Sequence, residues 1–197
     1  MPRPKKSDRD EMATFKIENA FWALLETERY SDITVLRITQ EAGINRNSFY
    51  YHYKDIDDLA YIAFMRNADN EVSRALISAL LSAFREGHTA LVFDMSILPH
   101  TKRIMLCAGS DSPYLNRLVN DLLIKVWFDS MSISEALLSA DEKIQIRFIS
   151  AGMVAVLGSQ EIRDNPLVMS TLSQTEIGKA IISTMKGIAS RQVNERK

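Results

Sequence analysis

The residues best suited to chemistry in this sequence are hydrogen-bonding side chains between positions 45 and 54. If this stretch is helical, Phe49 and Tyr53 are four residues apart and face inward, while the polar side chains share the opposite face. That face carries a guanidinium and an amide, which read guanine and adenine in the major groove of DNA, together with hydroxyls and an imidazole that can hold phosphates. The predicted contacts are Arg46, Asn47, Ser48, Tyr50, Tyr51, His52 and Lys54.

Two short predicted helices position this face. Thr34 is the expected N-cap of a helix that runs to Ala42, and Asn45 is the expected N-cap of the next helix. Gly43 lies between them, where the end of a helix needs a residue that is free to adopt positive φ. The spacing predicts helix, a turn of about three residues, and helix, which is a helix-turn-helix. Thr34 joins the predicted contacts because the N-terminal amides of its helix can bind a phosphate.

The segment 33–59 resembles the DNA-binding motif of the TetR family of bacterial transcription regulators. The motif covers about residues 10–65, a third of the chain. Two positions depart from the family pattern. Ile56 stands where the family usually has a lysine that meets a phosphate, for which Lys54 is an alternative, and Arg29 stands where it usually has glycine. The matching positions are Thr34, Val35, Ile38, Ala42, Gly43, Ile44, Phe49, Tyr50, His52, Tyr53 and Leu59.

The resemblance implies an all-α fold, in which an N-terminal three-helix DNA-binding part precedes a larger helical domain for effector binding and dimerisation. We place the boundary after residue 54, giving a DNA-binding domain at 1–54 and a second domain at 55–197. The resemblance further implies a homodimeric repressor that binds a palindromic operator in double-stranded DNA and is released by a small molecule. The alternatives are an activator or a partner-dependent regulator without its own effector, and a helical enzyme that acts on a small apolar molecule.

Helical periodicity extends along both parts of the chain. Apolar stripes predict helices over residues 7–28, 71–86, 112–131, 141–161 and 173–189. The helix at 141–161 is apolar around nearly its whole circumference, so more than one neighbour must cover it. With the stripe on 173–189, this predicts a two-fold homodimer in which these two helices of each chain form a four-helix bundle.

An effector site leaves a weaker trace in the sequence. Methionine and aromatic side chains adapt to irregular apolar ligands, although at helical spacing they also form ordinary cores. We expect any small apolar effector to contact side chains of this type in the second domain. The candidates are Phe93, Met105, Tyr114, Trp127, Phe128, Met131 and Met153.

Composition argues against several other classes of protein. Among 197 residues there are only 7 Gly and 5 Pro, which favours long helices over a turn-rich β sandwich. The single cysteine, Cys107, excludes an intrachain disulfide and a multi-cysteine zinc site. The three histidines lack metal-ligand spacing, and no nucleophile or nucleotide-binding motif is present. We therefore expect no enzymatic activity, no cofactor and no metal.

Charge is unevenly distributed, although the net charge is −1. Residues 1–9 form a basic arm that could reach the DNA backbone or minor groove, with Arg3, Lys5 and Lys6 as candidate contacts. The longest uncharged run in the C-terminal half, residues 148–160, is shorter than the roughly 20 residues that a membrane-spanning helix needs. With no leader at the amino terminus, we expect a cytoplasmic protein.

Overall fold

The computed structural model describes residues 6–68, 98–165, 168, 171–172 and 174–195. Every regular element in these ranges is a helix, which confirms the all-α prediction for this part of the chain. None of the described helices is long and apolar enough to cross a membrane. The predicted helix at 71–86, the pocket candidate Phe93 and the arm residues Arg3 and Lys5 lie outside the described residues.

Four helices form the N-terminal part: α1 (Lys6–Thr27), α2 (Val35–Ala42), α3 (Arg46–His52) and α4 (Ile56–Ala68). The predicted caps are present. The Thr34 hydroxyl accepts a hydrogen bond from the backbone amide of Arg37, and the Asn45 side chain accepts one from the backbone amide of Ser48. Gly43 ends α2 in the left-handed region, with φ +63°. The helix-turn-helix prediction is therefore confirmed, down to its capping residues.

The rest of the described chain contributes five further α-helices: α5 (Leu98–Ala108), α6 (Pro113–Met131), α7 (Ala140–Leu157), α8 (Gln160–Asp164) and α9 (Glu176–Glu195). The predicted helix at 141–161 was too long. It ends at Leu157 because Ser159 caps a new helix by accepting the Ile162 amide. The prediction for 112–131 is confirmed, with Ser112 as the N-cap of α6.

The last helix is shifted from its predicted range of 173–189, since it runs from Glu176 to Glu195. Its extension is held by tertiary contacts of polar residues. The Gln192 side-chain amide accepts a hydrogen bond from the backbone N–H of Ser134 at 2.8 Å and donates one to the Ser134 carbonyl at 3.0 Å. Arg191 pairs with Glu142 at the start of α7, and this hydrogen bond is the main reason that the pKa of Glu142 falls to about 2. Apolar periodicity alone cannot reveal such contacts.

The buried side chains form two clusters. The first is centred on Phe21, Phe49 and Phe64 and continues through Cys107 into Leu115, so α4 packs on α1 and also on α5 and α6. The second joins α6, α7 and α9 through Trp127, Ile146, Met185 and Ile188. Because α4 shares a core with helices on both sides of residue 54, the boundary placed there stays a prediction.

The ends of α5 and α7 meet backbone to backbone at two glycines. A Cβ built on Gly158 would lie 2.5 Å from the carbonyl oxygen of Ala108, and one built on Gly109 would lie 2.6 Å from the carbonyl oxygen of Gly158. Real Cβ atoms do not approach backbone so closely. Only glycine therefore fits at either position while these helices keep their present separation.

We expect Gly158→Ala to lower the free energy of unfolding by about 1–3 kcal/mol, since the added methyl must push two backbones apart. Its backbone, at φ −83° and ψ −4°, is itself open to alanine, so the loss is steric. Urea denaturation measures the effect. Lys143→Ala, on the exposed surface of α7, is the control and should change stability by no more than about 0.5 kcal/mol. Equal stability of the two variants would contradict the close approach.

Candidate nucleic-acid interface

The outward face of α3 presents the side chains that the sequence predicted there. Arg46 and Asn47 are exposed, and Tyr50 and Tyr51 are 53% and 63% exposed. Lys54 is also exposed, but it lies beyond α3, which ends at His52 rather than continuing to residue 54. Ser48 and His52 lie half-buried at the margins of this face. Phe49 and Tyr53 point inward and are buried, as their spacing predicted. The helix therefore offers a row of hydrogen-bonding groups to solvent, and their contact with DNA stays a prediction.

The charges on this face are available to a ligand. Within the part of the chain that the structure describes, neither Arg46 nor Lys54 forms an ion pair. Arg37 of α2 differs, because its guanidinium pairs with Glu28. Ile56, at the position where the TetR pattern has lysine, is half-buried and packs against the first cluster. Lys54, two residues earlier, is exposed, and its replacing that contact stays a prediction.

Thr34 lies at the start of α2 with an exposed side chain. Its hydroxyl accepts the Arg37 amide at 3.2 Å, so one of the unpaired amides of the first turn is capped. The helix start remains positive because aligned peptide dipoles leave partial positive charge there. Thr34 is suited to a phosphate contact through this terminus more than through its own hydroxyl.

A buried carboxylate holds α3 in place. Glu18 of α1 is only 8% exposed, and it accepts hydrogen bonds from the Tyr53 hydroxyl at 2.8 Å and from Arg66 of α4 at 2.6 Å. Burial and the bond to Glu18 raise the pKa of Tyr53. Sequence reasoning missed this residue. Its position in the sequence could have indicated its burial, because Glu18 lies on the same face of α1 as Phe21 and Leu25, where apolar residues were expected.

The loops beside the helix-turn-helix are fastened to the rest of the molecule. Asp111, in the loop after α5, accepts the Tyr30 amide at 2.9 Å and pairs with Arg29 at 3.3 Å. The Tyr30 hydroxyl donates to Asp57 at the start of α4. Burial first, and Asp57 second, raise the pKa of Tyr30. Arg29, which departs from the TetR pattern, is thus one of the residues that join the two parts of the chain.

The structure brings four of the described effector candidates together and places Met105 and Tyr114 elsewhere. Met105 of α5 lines a groove beside α1, and Tyr114 packs at the edge of the first cluster. Trp127 is buried in the second cluster, where Phe128, Met131 and Met153 pack around it. These four form part of an apolar core, and a shared effector pocket for all the candidates stays a prediction.

No catalytic or metal-binding arrangement is evident in the described ranges. They contain no group of three or more His, Cys, Asp or Glu residues that could hold a metal ion. Cys107 is fully buried, and burial raises the pKa of its thiol to about 12, so the nucleophilic thiolate is disfavoured at neutral pH. The His100 ring bonds the Asn67 side chain at 2.9 Å.

Comparison with known proteins adds a structural likeness. No family model matches the chain, and no curated protein matches its sequence. Among solved structures, the chain is similar to the TetR family repressor AlkX from Dietzia sp. strain DQ12-45-1b, a protein implicated in biodegradation of n-alkanes. The match has a TM-score of 0.44 and 16% identity and covers 89% of this chain and 96% of AlkX. Such a loose superposition carries no functional argument.

We expect Tyr53→Phe to destabilise the fold by about 1.5–3 kcal/mol, because it removes a buried hydrogen bond to a charged group. Tyr51→Phe is the matched control on the same helix. Its ring is 63% exposed, so loss of its hydroxyl should leave stability unchanged. Denaturation midpoints of the two variants test this. A Tyr53→Phe protein as stable as Tyr51→Phe would show that Glu18 does not anchor α3.

Proposed function

We propose that this protein is a sequence-specific DNA-binding transcriptional regulator. The observation that carries the proposal is the outward face of α3, held in a capped helix-turn-helix and offering Arg46, Asn47 and Tyr51 to a ligand. A guanidinium can donate two hydrogen bonds to the major-groove acceptors of guanine, and a side-chain amide can hydrogen-bond both the donor and the acceptor of adenine. An α-helix fits the B-DNA major groove, where these groups are displayed.

Phosphate contacts would set the register of this helix. Several groups that flank the base-reading side chains are suited to the DNA phosphates on either side of the major groove. These are the start of α2 at Thr34 and the side chains of Ser48, Tyr50, His52 and Lys54. The basic arm at residues 1–9, with Arg3, Lys5 and Lys6, would add contacts with little sequence preference.

We further propose that the regulator is a homodimer built on α7 and α9. The inward face of α7 carries Ile146, Ser150 and Val154, all buried. Its opposite face repeats apolar residues at spacings of four, three and four: Ile144, Phe148, Ala151 and Ala155. Ile144 and Phe148 are 65% and 78% exposed in the single chain. Burying this second face favours a second copy as its partner.

Helix α9 is suited to the same interface. Ile177 is 62% exposed, and Ala180, one turn further on, is also exposed on that side. A two-fold pairing of α7 and α9 would make a four-helix bundle. Two-fold symmetry is also what a palindromic operator demands, since it presents two copies of α3 to half-sites one or more helical turns apart.

Release by a small molecule, and hence repression, is the regulatory mode that we propose. The contacts from Asp111 to Arg29 and Tyr30, and from Tyr30 to Asp57, join the loops beside the helix-turn-helix to the second part of the chain. An effector that preferred another arrangement of the second part would shift the spacing of the two α3 helices through these contacts. Activation, or regulation through a protein partner, would use the same DNA interface.

Removing the base-reading groups should abolish specificity without unfolding the protein. We expect Arg46→Ala and Tyr51→Ala to weaken binding to a duplex selected by the wild-type protein from a random pool. A lost bidentate base contact costs about 1–3 kcal/mol. Fluorescence anisotropy at fixed salt measures the change. Lys125→Ala on α6 is the control, because it removes one exposed cation far along the chain from α3. Wild-type affinity in both α3 variants would refute the interface.

Charging the outward face of α7 should separate the two copies. We expect Phe148→Glu to be monomeric at micromolar concentration in sedimentation velocity and to lose operator binding, while its helix content is kept, because the ring is already exposed in the single chain. Phe15→Glu is the matched control, since Phe15 is 65% exposed on α1. It should leave the dimer intact. A wild-type monomer that binds its operator tightly would overturn this architecture.

A further inference from the structure

A groove of about 670 Å³ lies between the first helix and the helix that begins the second described range. One wall is a single face of α1, which carries Asn19, Trp22, Ala23 and Glu26 at helical spacing. The other wall is α5, and Arg163 of α8 also lines the groove. The volume is within the range typical of small-molecule sites. None of the residues proposed to contact DNA lines this groove.

The groove contains a guanidinium without a carboxylate partner. Arg103 of α5 is half-buried, and its guanidinium carbon lies 5.2 Å from the centre of the Trp22 ring. Among the described residues it forms no ion pair. The two carboxylates that influence it most are engaged elsewhere: Glu18 with Tyr53 and Arg66, and Glu26 with Lys102 at 2.8 Å. Burial lowers the pKa of Arg103, and the nearby charges of Glu18 and Glu26 oppose that shift.

The lining therefore combines excess positive charge with apolar surface. Its charged residues are Lys102, Arg103 and Arg163 against Glu26, and Lys102 is neutralised by Glu26. Arg163 bonds Gln160 and no described carboxylate. A guanidinium that stacks on an aromatic ring keeps its N–H edges available, and these match the two oxygens of a carboxylate. Ala23, Pro99 and Leu106 supply accessible apolar surface, whereas Trp22 and Met105 are each only 4% exposed at the base of the groove.

We propose that this groove binds a small amphiphilic carboxylate, whose anionic group pairs with Arg103 and whose apolar body lies along Ala23, Pro99 and Leu106. Binding would place a carboxylate in direct contact with Arg103, which forms no ion pair among the described residues. It would also bury apolar surface of the ligand between α1 and α5. The proposal stands apart from the DNA-binding function, because neither the outward face of α3 nor a second copy of the chain takes part in it.

The test compares 4-phenylbutanoate with 4-phenylbutanol, which has a similar apolar body and no charge. We expect isothermal titration calorimetry on the full-length protein, without DNA, to show saturable binding of the carboxylate and at least roughly tenfold weaker binding of the alcohol. Tryptophan emission should change with the same saturation curve, since Trp22 lines the site. No saturable binding of the carboxylate at millimolar concentration, or equal binding of the alcohol, would overturn the proposal.

Variants locate the ligand. Arg103→Met keeps the apolar stem and should weaken phenylbutanoate binding at least roughly tenfold. Arg117→Met is the matched control, because Arg117 also lies over an aromatic ring, Tyr114, at 5.8 Å, outside the groove. It should bind like the wild type. Ala23→Trp, which fills the groove from an exposed position on α1, should block binding while leaving Arg103 in place. Undiminished binding by folded Arg103→Met or Ala23→Trp protein would place the ligand elsewhere and refute the site.

Discussion

A helix of seven residues that turns most of its side chains to solvent cannot be stable by itself, because so few hydrogen bonds do not repay the cost of nucleating it. Helix α3 is such a helix. It depends on the Asn45 cap at its start, on Phe49 buried against α1 and α2, and on Tyr53, whose hydroxyl reaches Glu18 at its end. These anchors leave the outward face free for recognition.

The Glu18 carboxylate also shows how the N-terminal helices are joined. A buried carboxylate is costly unless charged or hydrogen-bonding partners compensate it. Here Arg66 of α4 and Tyr53, the C-cap residue of α3, compensate Glu18. Their geometry requires α1, α3 and α4 to keep one relative arrangement. Since α4 also packs on α5 and α6, the position of α3 is mechanically linked to the second part of the chain.

The two sides of α7 make different demands on the chain. Its inward side completes the second cluster with Trp127 and Met185, whereas on its outward side Ile144 and Phe148 are 65% and 78% exposed. This exposed apolar row is the surface on which we propose that a second copy packs. The groove between α1 and α5 is a separate feature, because its distinguishing group is a charge, Arg103, rather than an apolar row.

Local interactions explain what could be predicted from the sequence. Caps and turns act over three or four residues, so Thr34, Gly43 and Asn45 were sufficient to locate the helix-turn-helix. Helical periodicity likewise sufficed to divide α3 into a buried face at Phe49 and Tyr53 and a polar outward face.

The tertiary structure alone decided the features that join distant parts of the chain. The role of Glu18 depends on partners 35 and 48 residues away. The last helix extends through Gln192 because the backbone of Ser134, 58 residues earlier, hydrogen-bonds to the Gln192 side-chain amide. Helical spacing likewise predicts that Met105 and Trp127 are buried, but not that Met105 lies beside α1 and Trp127 in the second cluster. Such contacts form only when the helices pack, and no pattern within a single helix encodes which residue of another helix will meet it.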